Sequence, residues 1–107
     1  MAQVKWLRHA EQELFKYLVI GFEEFGAFTV NKFMEKVRRM NEELASFPEM
    51  GYQEPLLKER KKIYRTYHLN RRFKVIYYFA QKSDIVYVAD IWDKRREPLS
   101  LAKRIKK

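Results

Sequence analysis

Between residues 8 and 47 the apolar residues recur at helical spacing, and the pattern is interrupted only around Gly26. Ala10, Leu14, Tyr17, Leu18 and Phe22 fall along a first helix, with Glu11 and Glu13 suited to the positive end of its dipole. Val30, Phe33, Val37, Met40, Leu44 and Phe47 mark the apolar face of a second helix, which Pro48 ends. Two helices joined by one or two residues must be antiparallel neighbours, so the segment predicts a helical hairpin. Any fold for the remaining residues has to offer that hairpin a surface to pack on.

After Pro48 the period changes. Residues 48–61 (PEMGYQEPLLKERK) combine Pro48, Gly51 and Pro55 with charge and read as a loop. Residues 63–67, 73–80 and 85–92 read as strands, and their hairpin-length connections, HLNRR and QKSD, predict an antiparallel meander. Residues 3–7 read as a short opening strand. In the middle strand of the meander Phe73, Val75, Tyr77 and Phe79 share one face, while Lys74, Ile76 and Tyr78 share the other with Arg72 just before them. The first face is expected to bury against the helices and the second to stay partly open and basic. The tail EPLSLAKRIKK reads as a short helix with Pro98 in its first turn. The resulting order, β-α-α-β-β-β-α, is α+β: a small antiparallel β-sheet with an N-terminal strand, packed against an α-helical hairpin, in one domain spanning residues 1–107.

Charge is distributed unevenly over this plan. The 107 residues carry 23 Lys and Arg against 14 Asp and Glu, a net of +9. Residues 1–53 hold 7 basic and 8 acidic groups, residues 54–92 hold 9 and 4, and residues 93–107 hold 7 and 2. The excess therefore lies on the strands and tail, and it points to a polyanionic partner: nucleic acid, a nucleoprotein or an acidic protein. The absence of cysteine excludes disulfides, thiolate metal sites and a thiol nucleophile. His9 and His68 lack the clustered His, Asp and Glu that a metal site needs, so no metal site is expected, and no Gly-rich phosphate loop or HExxH motif is present. No cofactor is expected. With no apolar run long enough to span a bilayer and no signal-peptide pattern at residues 1–14, the expected location is cytoplasmic, with no membrane partner.

Four features carry possible chemistry. Arg65, Arg72, Lys74, Lys94, Arg95 and Arg96 lie on the meander or directly after it, where adjacent strands less than about 5 Å apart bring such groups onto one sheet face. A convergent set would grip phosphates and stabilise charge developing at phosphorus; the alternative is a solvated surface that keeps the domain soluble. His68, beside them, is placed to deprotonate a ribose hydroxyl, or is an ordinary residue at a strand end. Tyr78 and Trp92 are the aromatics expected to be exposed and to stack on bases, although strand aromatics more often pack in cores. The first helix is apolar around much of its circumference: Phe15, Val19 and Ile20 lie outside the stripe that a two-layer domain needs, so a second buried surface is expected.

These residues resemble a known family. The Val4-Lys5-Trp6 opening, the helical hairpin, the FPEMG loop (residues 47–51), FKVIYYF (73–79) and VADIWDKRREPLSLAKRI (88–105) are similar, in this order, to toxins of the RelE/ParE superfamily, the toxin halves of bacterial type II toxin–antitoxin (plasmid stabilisation) pairs. The resemblance spans nearly the whole chain. It implies a few antiparallel strands packed on a helical hairpin, and a cognate antitoxin, small and acidic, covering the surplus apolar surface at Phe15, Val19 and Ile20. It also implies one of two activities. RelE-like members are mRNA interferases that cut ribosome-bound mRNA without a metal, whereas ParE-like members inhibit DNA gyrase and cleave nothing; a detoxified basic binding module is a third possibility. On the nuclease alternative the family's catalytic basic residues fall on Lys74, Arg96 or its neighbour Arg95, and Arg65, with Arg72, Lys94, Tyr78 and His68 contacting RNA. Position 74 holds Lys where the family motif has Arg, and the tail lacks the tyrosine that such nucleases often place there.

Overall fold

A computed structural model describes residues 1–105. The chain runs through β1 (Gln3–Trp6), α1 (Arg8–Phe25), α2 (Ala27–Ser46), β2 (Tyr52–Gln53), a 3-10 turn (Pro55–Leu57), β3 (Tyr64–His68), β4 (Phe73–Ala80), β5 (Ile85–Asp93) and α3 (Leu99–Arg104). The final two lysines of the expected terminal helix lie outside the described residues.

Gly26 separates the two long helices with φ 85° and ψ 178°, and its N–H closes α1 on the Phe22 carbonyl. That backbone region is almost exclusive to glycine, so Gly26→Ala is expected to lose roughly 1–3 kcal/mol in urea unfolding, although open space surrounds the position.

The five strands order as β1-β5-β4-β3-β2. The meander β3-β4-β5 is antiparallel, as its short connections require. The sheet as a whole is mixed, because β1 pairs in parallel with β5, Gln3 against Ile85 through Trp6 against Val88. Such a pair needs a long crossover, and the helical hairpin begins it. The segment expected to be a loop contains β2, where Tyr52 and Gln53 pair with Thr66 and Arg65, and the 3-10 turn. A strand of two residues is too short to display a strand period.

One sheet face packs against the hairpin. Its core joins Ala10 of α1 and Val37, Met40 and Leu44 of α2 to Val75, Tyr77, Val86, Val88 and Ile91. The other face is not open. Leu57 of the 3-10 turn and Leu101 of α3 cover Tyr64, Ile76, Ala89 and Trp92, forming a second core. A bulge separates the two sets: Ile76 opposes Asp90 but Tyr77 opposes Val88, so Ala89 is an extra residue that resets the alternation of β5. Trp92, expected to be exposed, retains only 2% of its surface because α3 roofs it. Among the described residues no helix is long and apolar enough to cross a membrane.

Candidate functional site

Strand register builds a row at one end of the second face. His68 lies opposite Lys74 and Lys74 opposite Trp92, so the three side chains share a side of the sheet. The Lys74 ammonium reaches Glu54 Oε1 at 2.7 Å, and Glu54 is held by the Thr66 hydroxyl at 2.8 Å and the Leu56 N–H at 3.1 Å. His68 Nε2 shares a hydrogen bond of 2.8 Å with the Tyr52 hydroxyl. Lys94 donates to the Asn70 carbonyl at 2.9 Å, and the Arg96 guanidinium stacks 4.5 Å from the Trp92 ring centre.

Burial lowers the His68 imidazole below its ordinary value, and the Lys94 and Lys74 charges lower it further against the opposing pull of Glu54. His68 is therefore neutral at neutral pH, with two ammonium groups in electrostatic reach. Burial and Lys74 also depress Lys94. At Glu54 burial acts upward, but the Lys74, Leu56 and Thr66 hydrogen bonds together hold the carboxyl below its ordinary 4.5. A carboxylate depressed in the folded state stabilises above its unfolded value and loses that contribution as pH falls through the folded one. Glu54→Gln is therefore expected to flatten the acid limb of a stability–pH profile below about pH 4.5. Urea midpoints measured from neutral to acid pH check this.

The other basic residues do not join this row. Arg65 lies opposite Tyr77, on the hairpin side of the sheet, and donates to the Gly51 carbonyl at 2.8 Å. Arg72 and Arg95 both bind the Asp93 carboxylate at 3.1 Å, on the side that carries Phe73. The six cations expected on one face are thus divided between two: alternation turns Arg65 to the hairpin side, and Asp93, opposite Phe73, draws Arg72 and Arg95 from the strand ends to that side as well. Tyr78 stands in a cross-strand ladder, 5.5 Å from Tyr64 and 5.2 Å from Tyr87 between ring centres, away from Lys74. Tyr52 and Glu54 complete the site without a signal in the sequence: each is placed by β2 and the turn after it, which pair only in three dimensions.

The hairpin carries the surplus apolar surface expected of it. Phe15 is 68% exposed, and Val19 and Ile20 are 40% and 41% exposed. Phe15 also borders a groove between the helices lined by Trp6, Leu14, Leu18, Met34 and Val37. The C-terminal helix does not cover this surface, because it packs on the opposite side of the sheet.

No family model matches the sequence, and no curated protein does either. Solved structures do resemble it. A chain of the chromosomal ParDE toxin–antitoxin system of P. aeruginosa superposes with a TM-score of 0.68 at 19% identity, over 87% of this chain and 96% of that one. A metal-bound toxin from Helicobacter pylori gives 0.64 at 14% identity, over 89% and 97%. The chain has a RelE/ParE-type toxin fold. The likeness expected from the sequence motifs therefore holds at the level of architecture: a helical hairpin on one face of a small sheet.

Proposed function

We propose that the chain is the toxin of a toxin–antitoxin pair and that the end of its sheet cuts RNA without a metal, on the ribosome. The observation that carries this reading is His68 set in one row with Lys74, where burial and the Lys94 and Lys74 charges hold its imidazole below the ordinary value. A neutral imidazole accepts the proton of a ribose 2′-hydroxyl, the oxygen attacks the adjacent phosphorus, and the 5′-oxygen leaves to give a 2′,3′-cyclic phosphate. Lys74 and Lys94 neutralise the phosphate oxygens as charge builds there, and Arg96, held on Trp92, offers a guanidinium beside them. Arg65, Arg72 and Arg95 stay outside this role, since they lie on the hairpin side of the sheet, with Tyr77 and with Asp93 beside Phe73.

Purified protein added to translating ribosomes is expected to produce cuts at the codon in the A site. The rate should rise with pH through a midpoint below 6.5 and level off near neutrality, following His68. Intact message under these conditions, or a rate unaffected by His68→Ala, removes the nuclease reading.

A gyrase inhibitor is the second reading, favoured by the similarity to the ParDE chain and by the separation of Arg65 from Lys74. It predicts slowed supercoiling by gyrase at stoichiometric protein and no RNA cleavage. Under either reading the exposed apolar face around Phe15, Val19 and Ile20 is the surface an antitoxin would cover, with acidic residues meeting the excess positive charge. Phe15→Asp is then expected to weaken neutralisation by the antitoxin while leaving the toxic activity in place.

A further inference from the structure

At the free edge of β5 stands a cluster that neither activity uses. β1 pairs with β5 only as far as Val88, and beyond that point the first turns of α1 lie against the strand. His9 and Glu13, four residues apart on one helix face, meet Asp90 of the bulged segment there. His9 Nε2 is 3.4 Å from Asp90 Oδ1 and 3.9 Å from Glu13 Oε1. Ligands around a tetrahedral zinc-class ion, with bonds of about 2.0–2.1 Å, stand roughly 3.3 Å apart, so the spacing already approximates such a shell.

The centre of the cluster is held by a cation from the chain itself. Arg104 of α3 reaches around the strand edge, and its Nη2 donates to Glu13 Oε1 at 2.6 Å, to Asp90 Oδ1 at 2.7 Å and to His9 Nε2. The imidazole lone pair that accepts from Arg104 is the one a metal would take. Asp90 has no exposed surface, yet its second oxygen, Oδ2, has no hydrogen-bond partner. A buried carboxylate oxygen left unsatisfied is costly, and bidentate coordination would satisfy it. Half of the His9 side chain is exposed, so an ion can reach the cluster from solvent.

We propose that His9, Glu13 and Asp90 form a binding site for a divalent zinc-class cation, for which Arg104 is the internal competitor, so that loading the ion detaches α3. Glu13 also holds the half-exposed Lys16 through Oε2 at 2.6 Å, so the two carboxylates already balance Lys16 and Arg104, and a divalent ion at the centre requires Arg104 to leave. Arg104 also stacks 4.9 Å from Trp92, and α3 covers that indole. Its release would uncover Trp92, the cross-strand neighbour of Lys74. The ion thus acts on the C-terminal helix and needs no role in any reaction.

Zinc titration calorimetry on the full chain tests the site, with hydrogen exchange of the backbone amides of residues 99–105 as the second readout. One ion is expected to bind, His9→Ala to weaken it by about tenfold or more, and Arg104→Gln to tighten it by a similar factor. Zinc should speed exchange across α3 in the unsubstituted protein and not in His9→Ala. Because His9 is half-exposed and outside both cores, its replacement is expected to leave the fold intact, which a melting curve of the variant checks, and so separates loss of a ligand from loss of structure. Equal affinity in the His9→Ala variant, loss of binding in His68→Ala instead, or no gain in Arg104→Gln each overturns the proposal. Slower exchange in α3 on adding zinc overturns the competition with Arg104.

Discussion

Lys74→Ala is expected to cost about 3–5 kcal/mol of stability and to silence RNA cleavage, and the two losses have different origins. The stability loss comes from Glu54, which keeps only 2% of its side-chain surface and would become an uncompensated buried carboxylate. Loss of activity in this variant alone therefore says little about catalysis. Pairing Lys74→Met with Glu54→Gln removes both charges at once, while the amide oxygen can accept from the Leu56 N–H and the amide NH2 can donate to the Thr66 hydroxyl oxygen, the two groups that reach different oxygens of Glu54. Stability should then return to within about 1–2 kcal/mol of the starting protein, as neutral replacement of a buried ion pair often does. Cleavage should stay down by about 10²–10³-fold, the usual consequence of losing one preorganised charge at a reacting phosphate. Denaturant unfolding and ribosome cleavage on the same two variants separate the effects. Recovery of cleavage in the paired variant would show that Lys74 serves the fold alone.

Gly51→Ala is expected to destabilise by about 2–5 kcal/mol, combining overpacking with damage to a buried hydrogen bond. Backbone freedom is not the reason. A Cβ at this position would overlap the Thr66 carbonyl oxygen and stand 2.8 Å from the Tyr77 hydroxyl and 3.0 Å from its ring. That hydroxyl accepts the Gly51 N–H at 2.8 Å in the buried interior. Tyr77 is fully buried in the core under the hairpin, so it has little room to withdraw, and β2 would be pushed off β3 instead. Tyr52 and the Arg65 anchor on the Gly51 carbonyl would move with it. Calorimetric melting measures the loss. Tyr77→Phe, which deletes only the hydroxyl, should cost about 1–3 kcal/mol and give the hydrogen-bond share of it.

Helical spacing over residues 8–47 and strand spacing over residues 63–92 were sufficient to place α1, α2 and the meander, because those signals repeat over many residues and depend on local geometry. The uneven charge and the surplus apolar surface at Phe15, Val19 and Ile20 were legible for the same reason: each is a property of composition along a segment. Partnership between distant residues was not. Lys74 meets Glu54 across 20 residues, and Arg104 meets Glu13 across 91, through a two-residue strand, a bulge and a six-residue helix. None of these is long enough to leave a periodic trace. The sequence by itself determined which residues are basic, which helix is over-hydrophobic and how the chain alternates. Only tertiary structure decided that Lys74, tied to Glu54, stands in a row with His68, and that Arg72 and Arg95 are spent on Asp93 and Arg104 on the α3 cluster. A strand's alternation assigns side chains to opposite faces, but a single bulge at Ala89 and the docking of α3 determine what each face then meets.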